Sequence, residues 1–135
     1  MPKIIPLQLN ENRLDSFTEF VDSLSKKHKG QQTIYVKPLV KILEEFQKKG
    51  PSINKDHKNF IPFKKFKGNK YDGICELRTK KCRYILYEDD SDTYIGLHGF
   101  EKKSDDTPDH ELERARKEVA AWIRMKNWKC MELQR

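Results

Sequence analysis

Six residues in the C-terminal half have side chains that could do chemistry together: Glu76, Arg78, Arg83, His98, Lys102 and Lys103. They fall on three short segments in which polar and apolar residues alternate. In a strand, alternate side chains share a face. Ile74, Glu76 and Arg78 therefore go together, as do Arg83, Ile85 and Tyr87, and Gly96, His98 and Phe100. If the three strands are neighbours, their polar faces gather a carboxylate, two guanidiniums and an imidazole, with the Lys102-Lys103 pair at the rim. Such a group suits RNA cleavage without a metal. The ribose 2′-hydroxyl attacks the adjacent phosphate, and cations aimed at the phosphoryl oxygens lower the barrier. One group must take the 2′ proton and another must protonate the leaving 5′ oxygen. On this reading the arginines and the Lys102-Lys103 pair are the groups available to bind phosphate. His98 is the candidate for proton transfer, and Glu76 serves as a base or holds an arginine in place. The plainer alternative is a solvated sheet face carrying Glu–Arg pairs, with His98 packed.

The elements that must position these groups can be read from spacing. The predicted strands are 73–79, 82–88 and 93–100, with Lys80-Lys81 closing the first hairpin and residues 89–92 turning the second. The apolar faces, with Leu77, Leu86, Ile95 and Leu97, are expected to meet two N-terminal helices. Leu14, Phe17, Val21 and Leu24 keep helical spacing and predict a helix over 12–28, capped by Asn10 or Asn12. Leu39, Val40, Leu43 and Phe46 predict a second helix that begins near Pro38 and stops at Gly50-Pro51. Residues 4–9 read as an edge strand limited by Pro2 and Pro6. A final helix is expected from Pro108 to about Lys126, capped by Thr107. Leu112, Ala115, Val119, Trp122 and Ile123 share one of its faces. The order β-α-α-β-β-β-α implies an α+β domain with helices packed on one face of an antiparallel sheet.

At 135 residues the chain is expected to be a single domain, 1–135, with a modest core. Hydrophobic and charged residues each make up 36 %. No apolar run approaches the roughly 20 residues a membrane helix needs, and the N-terminus lacks a signal-peptide core, so the sequence reads as cytoplasmic. Cys75, Cys82 and Cys130 show neither metal-ligand spacing nor an even disulfide set and read as reduced packing residues. The net charge of +7 is unevenly spread. Residues 26–70 hold 13 lysines against three acids, whereas residues 88–118 hold 11 acids against five bases. A basic half favours a polyanionic partner, although solvated surface lysine would give the same pattern. Lys64, Lys65, Lys67 and Lys70, in a connector that also carries Lys55, Lys58, Phe60, Phe63 and Phe66, are candidate RNA-backbone contacts. Phe63 and Phe66 are expected to belong to the core.

The tracts Glu76-Leu77-Arg78, Cys82-Arg83-Tyr84-Ile85-Leu86-Tyr87 and Leu97-His98-Gly99-Phe100-Glu101-Lys102-Lys103, followed by Thr107-Pro108, resemble the RelE/HigB superfamily of bacterial toxins, and within it the HigB-like, phage-associated branch. The resemblance is strongest over 73–116. It implies a RelE-like fold and the toxin of a type II toxin–antitoxin system, an endoribonuclease that cuts mRNA on the translating ribosome with no cofactor. It also implies a cognate antitoxin, expected to be a helix-turn-helix protein. Arg83 stands where the superfamily places a catalytic arginine, and Lys103 where it places Arg or Lys. Two departures stand out. RelE proper carries lysines on the strand that here reads Ile74-Cys75-Glu76, and no tyrosine follows the lysine pair. A ParE-like gyrase inhibitor and a non-catalytic nucleic-acid-binding module remain alternatives on the same scaffold. Two further expectations follow. Arg83, if exposed on its face, should be replaceable by alanine without loss of the fold. The antitoxin should cover the groove or the apolar stripe of the last helix, from Trp122, Ile123 and Met125 to Trp128 and Met131.

Overall fold

A computed structural model describes residues 1–133, with side chains through Lys129; Cys130 and Met131 lie outside the described side chains. The elements are β1 (Lys3–Pro6), α1 (Ser16–Lys27), α2 (Gln32–Lys49), β2 (Phe63–Lys65), β3 (Ile74–Arg78), β4 (Cys82–Asp90), β5 (Thr93–Glu101) and α3 (Asp109–Leu133). The five strands form one sheet in the order β1-β5-β4-β3-β2. This is the expected α+β, RelE-like architecture. No helix among the described residues is long and apolar enough to cross a membrane.

The sheet is covered on both faces, not one. Phe20 and Leu24 of α1 and Leu39, Ile42, Leu43 and Phe46 of α2 pack against Cys75, Leu77, Cys82, Tyr84 and Leu86. On the opposite face Leu112 and Ala115 of α3 pack against Ile74, Ile85, Ile95 and Leu97. Ile95 and Leu97 thus meet α3, contrary to the expectation that they face the N-terminal helices. The reason is a β-bulge. Ile85 pairs with His98 and Leu86 with Gly96, so Leu97 is an extra residue in β5. The bulge resets the alternation, and His98 emerges on the same face as Ile85 and Arg83.

Three other elements differ from the spacing argument. The first helix starts at Ser16, because Asp15 caps it by accepting a hydrogen bond from the Thr18 amide (2.8 Å); Asn10 instead accepts from the Asn12 amide in the preceding turn, and Leu14 is exposed. The second helix begins at Gln32 and contains Pro38. Proline there forfeits one backbone bond. The loss falls beside the exposed Ile34, while Leu39 and Phe46 are fully buried and hold the helix by packing. The connector contains a strand, β2, that pairs Phe63 with Leu77, Lys64 with Glu76 and Lys65 with Cys75. Phe63 is in the core beneath α1 and α2, whereas Phe66 packs against the cluster on the α3 face. Cys75 and Cys82 are free, buried thiols, and burial pushes the Cys82 thiol up to about 11.

β1 runs parallel to β5, so the sheet is not wholly antiparallel. The amides of Lys3 and Leu7 donate to the carbonyls of Asp92 and Gly96, each at 2.8 Å. The Ile4 amide, facing the open edge, is taken by Gln47 Oε1 at 3.0 Å, and Pro6 has no amide to leave unpaired.

Candidate functional site

The β3–β4 turn organises the site. Thr79 closes it on both sides: its amide donates to the Cys82 carbonyl (3.0 Å) and its hydroxyl accepts from the Cys82 amide (3.0 Å). Lys80 and Lys81 are left exposed at the tip. The Lys102 amide donates to the Lys81 carbonyl at 2.8 Å, which brings the end of β5 and its lysine pair beside the turn.

Under this turn lie two arginines and a carboxylate. Arg83 is 2 % exposed and Glu76 is 1 % exposed. Arg83 is therefore buried, not exposed on an open face, because the loop after β5 and α3 lie over that side of the sheet. Its Nη1 donates to the carbonyls of Thr79 (2.6 Å) and Cys82 (2.9 Å). Its Nε stands 3.9 Å from Glu76 Oε1, and Arg78 Nε stands 3.6 Å from the same oxygen. Arg83 Nη2 and Arg78 Nε are buried with no hydrogen-bond partner among the described residues. Buried polar atoms are seldom left so, and an unmet donor costs about 1–3 kcal/mol. Arg78 and Arg83 are cross-strand partners, and their two unmet guanidinium nitrogens make a cationic group with spare donor capacity.

The loop between β5 and α3 closes over this group. Thr107 does not cap α3 with its side chain. Its hydroxyl donates to Glu76 Oε2 at 2.8 Å, and the Pro108 carbonyl accepts from the amides of Glu111 and Leu112. Lys102 pairs with Asp105 at 2.7 Å. That bond, then the Lys102 charge and the guanidiniums of Arg78 and Arg83, hold the Asp105 carboxyl below its usual range. Asp105 thus supplies an anion close to the arginines. Neither it nor Thr107 was a sequence-level candidate; their signal was the polar loop directly after the lysine pair.

Burial pushes the Glu76 carboxyl up, although the Thr107 hydrogen bond, Arg83 and Arg78 all oppose it. A carboxyl held above its unfolded value binds its proton more tightly in the folded protein. The resulting stability is complete below the unfolded pKa of about 4.3 and is lost as pH rises through the folded value. Glu76→Gln should flatten that fall. Urea midpoints of both proteins between about pH 4 and pH 7 would show it, and parallel curves would count against a Glu76 carboxyl pushed up by burial.

His98 is on the predicted face but in a different group. It is 3 % exposed, its Nδ1 meets Glu118 and its Nε2 lies 3.2 Å from Glu111. Both ring nitrogens are thus committed to α3 carboxylates and not to the arginines. Lys102 is half-buried and Lys103 is exposed on the loop. Of the connector lysines, Lys64 lies over the Phe66 ring (5.5 Å) and opposite Glu76. Lys65 pairs with Glu88 and Lys70 with Glu113, each at 3.4 Å. Lys67 is exposed. The structure therefore brings together Glu76, Arg78, Arg83 and Lys102, adds Lys103 and Lys64 at the margin, and separates His98.

No curated protein sequence matches the chain. The model of a family described as phage-derived Gp49-like proteins (DUF891) matches residues 19–120, from within α1 to within α3 and across the whole arginine cluster. The chain belongs to this Gp49-like family, a toxin-like family related to the RelE/HigB-type toxins.

Proposed function

We propose that the protein is the cytoplasmic toxin of a type II toxin–antitoxin pair and cuts mRNA on the translating ribosome by metal-independent transfer to the 2′-oxygen. The observation that carries this reading is the pair of unmet guanidinium nitrogens on Arg78 and Arg83. A phosphate replacing Asp105 would satisfy them. The arginines then stabilise the charge that builds on the phosphoryl oxygens, in a site where buried donors act more strongly than in water. Lys102, released from Asp105, and Lys103 hold the same phosphate from the rim, and Glu76 keeps the two guanidiniums aligned. Substrate entry requires the loop carrying Asp105 and Thr107 to lift. His98 contributes to proton transfer only if α3 withdraws Glu111 and Glu118. Lys64, Lys65, Lys67 and Lys70 contact the RNA backbone or the ribosome. The antitoxin, a small helix-turn-helix protein, covers the end of α3, where Ile123 and Trp128 are exposed.

Induced expression without the adjacent reading frame is expected to arrest growth and to create new transcript ends, phased with codons and confined to translated regions. Unchanged transcript ends in the arrested culture would reject nuclease action, and DNA damage with intact mRNA would redirect the reading to gyrase.

A further inference from the structure

A second concavity lies on the other side of the β3–β4 turn, between α2 and the strands. Its volume is about 510 Å³, within the range of sites that take a small organic ligand. Its floor is apolar, with Ile34, Pro38, Phe60 and Pro62. Its rim is cationic, with Lys41, Lys80 and Lys81. The one carboxylate that lines it, Glu45, is already engaged by His57 at 3.1 Å. The Arg78 guanidinium lies over the Phe60 ring, 5.6 Å from its centroid. An apolar concavity that presents an aromatic ring backed by a guanidinium, with lysines around it, has the parts that hold an unpaired base and its phosphates. The charge disfavours a basic partner, and the Phe60 ring offers a face on which a planar base can stack.

The slot also shares a wall with the buried cluster. Arg78 lines the slot and stands 3.6 Å from Glu76. Thr79 lines it too, and its carbonyl accepts from Arg83. We infer that this slot binds one unpaired nucleotide of single-stranded RNA, adjacent to the phosphate held by Arg78 and Arg83. The inference rests on the nuclease reading for its place in the reaction, but the binding itself does not depend on cleavage.

The test is binding of a fluorescent single-stranded RNA hexamer, 2′-O-methylated so that it cannot be cut, to the full chain. Affinity is followed by anisotropy and the site by amide chemical shifts. Phe60→Ala should weaken binding about tenfold or more, as expected for loss of one stacked base. Phe60→Leu keeps the apolar floor and removes the ring, so it should weaken binding similarly even if the alanine variant folds poorly. Replacing Lys80 and Lys81 together by alanine should reduce the salt dependence of log affinity by roughly one. Unaltered affinity of Phe60→Leu would overturn the inference. So would RNA-induced shifts confined to Glu76 and Arg83. Shifts at Phe60 and Arg78 with a hexaglutamate peptide, but none with RNA, would overturn it in favour of a protein partner. The two readings fail separately. RNA bound in the slot with intact cellular transcripts would reject the nuclease and keep the slot. Codon-phased cuts by a Phe60→Leu protein that binds RNA like the wild type would do the reverse.

Discussion

Arg83→Ala is expected to lose about 3 kcal/mol of stability or more, and the proposed cleavage with it, because removing one member of a buried charge group strips its neighbours of a partner they hold inside the protein. Arg83 holds the carbonyls of Thr79 and Cys82, so the substitution also loosens the turn on which Lys80, Lys81 and Lys102 are assembled. Glu76 would remain buried, with Arg78 and Thr107 as its partners. The measurement is urea denaturation, where a loss of this size should lower the midpoint by about 1–2 M. Arg83→Met combined with Glu76→Leu removes both charges and fills the space. It should recover part of the stability and none of the proposed cleavage, since replacing a buried ion pair by apolar groups is often neutral, while Arg78 and Thr107 still lose Glu76 as their partner. An unchanged midpoint in Arg83→Ala would mean that solvent reaches the guanidinium and that the burial described for it is wrong. Loss of activity in a variant of restored stability separates the chemical role from the structural one.

Gly99→Ala is expected to be nearly as damaging, although it adds a single methyl group. A Cβ at Gly99 would run into the ring of Phe20 on α1, and Phe20 is itself buried in the core. The ring cannot swing out without exposing that core, so α1 must shift off the sheet. Overpacking of this kind costs about 1–3 kcal/mol and more where no rotamer relieves it. Gly96 is under the same constraint from the Tyr84 hydroxyl, which is bonded to Ser16 at 2.7 Å. A double-mutant cycle decides the mechanism. Phe20→Ala alone should cost about 3–5 kcal/mol. If the collision is the cause, the Gly99→Ala, Phe20→Ala double variant should be more stable than the sum of the single losses predicts. Additive losses would place the cost in the backbone of β5 instead.

The same residues explain what could be read in advance. Strand alternation placed Glu76, Arg78 and Arg83 on one face, and the structure agrees, because β3 pairs with β4 from Ile74 to Arg78 without a bulge. His98 reached the expected face only because two departures cancel: the face expected to carry it opposes Ile95 and Leu97, and the bulge at Leu97 carries it back to them. A bulge leaves no mark on polarity patterns, so spacing could not reveal it. Pro38 misled for a related reason. The local penalty is legible, but the packing of Leu39 and Phe46 that outweighs it is tertiary. β2, at three residues, is too short for periodicity to register. The burial of Arg83 and Glu76 was invisible because alternation says which residues share a face and nothing about what lies over it. The loop lysines were legible as candidates, whereas Asp105 and Thr107 became meaningful only once their distances to Lys102 and Glu76 were known.

The parallel pairing of β1 with β5 has a consequence for how the protein comes into being. Lys3 is matched with Thr93, and Pro6 with Gly96, so during synthesis β1 has no strand partner until β5 has followed it out. Closing so long a loop is slow compared with forming the β3–β4 and β4–β5 hairpins, which need only neighbouring residues. The order of assembly is therefore hairpins first and the sheet's outer edge last. Ser16, which donates to the Gly96 carbonyl at 2.5 Å, waits on the same strand. α1 is thus seated late, and the arginine cluster, whose overlying loop and α3 come after β5 in the chain, is completed later still. A nascent chain therefore cannot carry a finished site until β5, the loop after it and α3 have all been translated, so the arginine cluster stays incomplete while those elements are still being made.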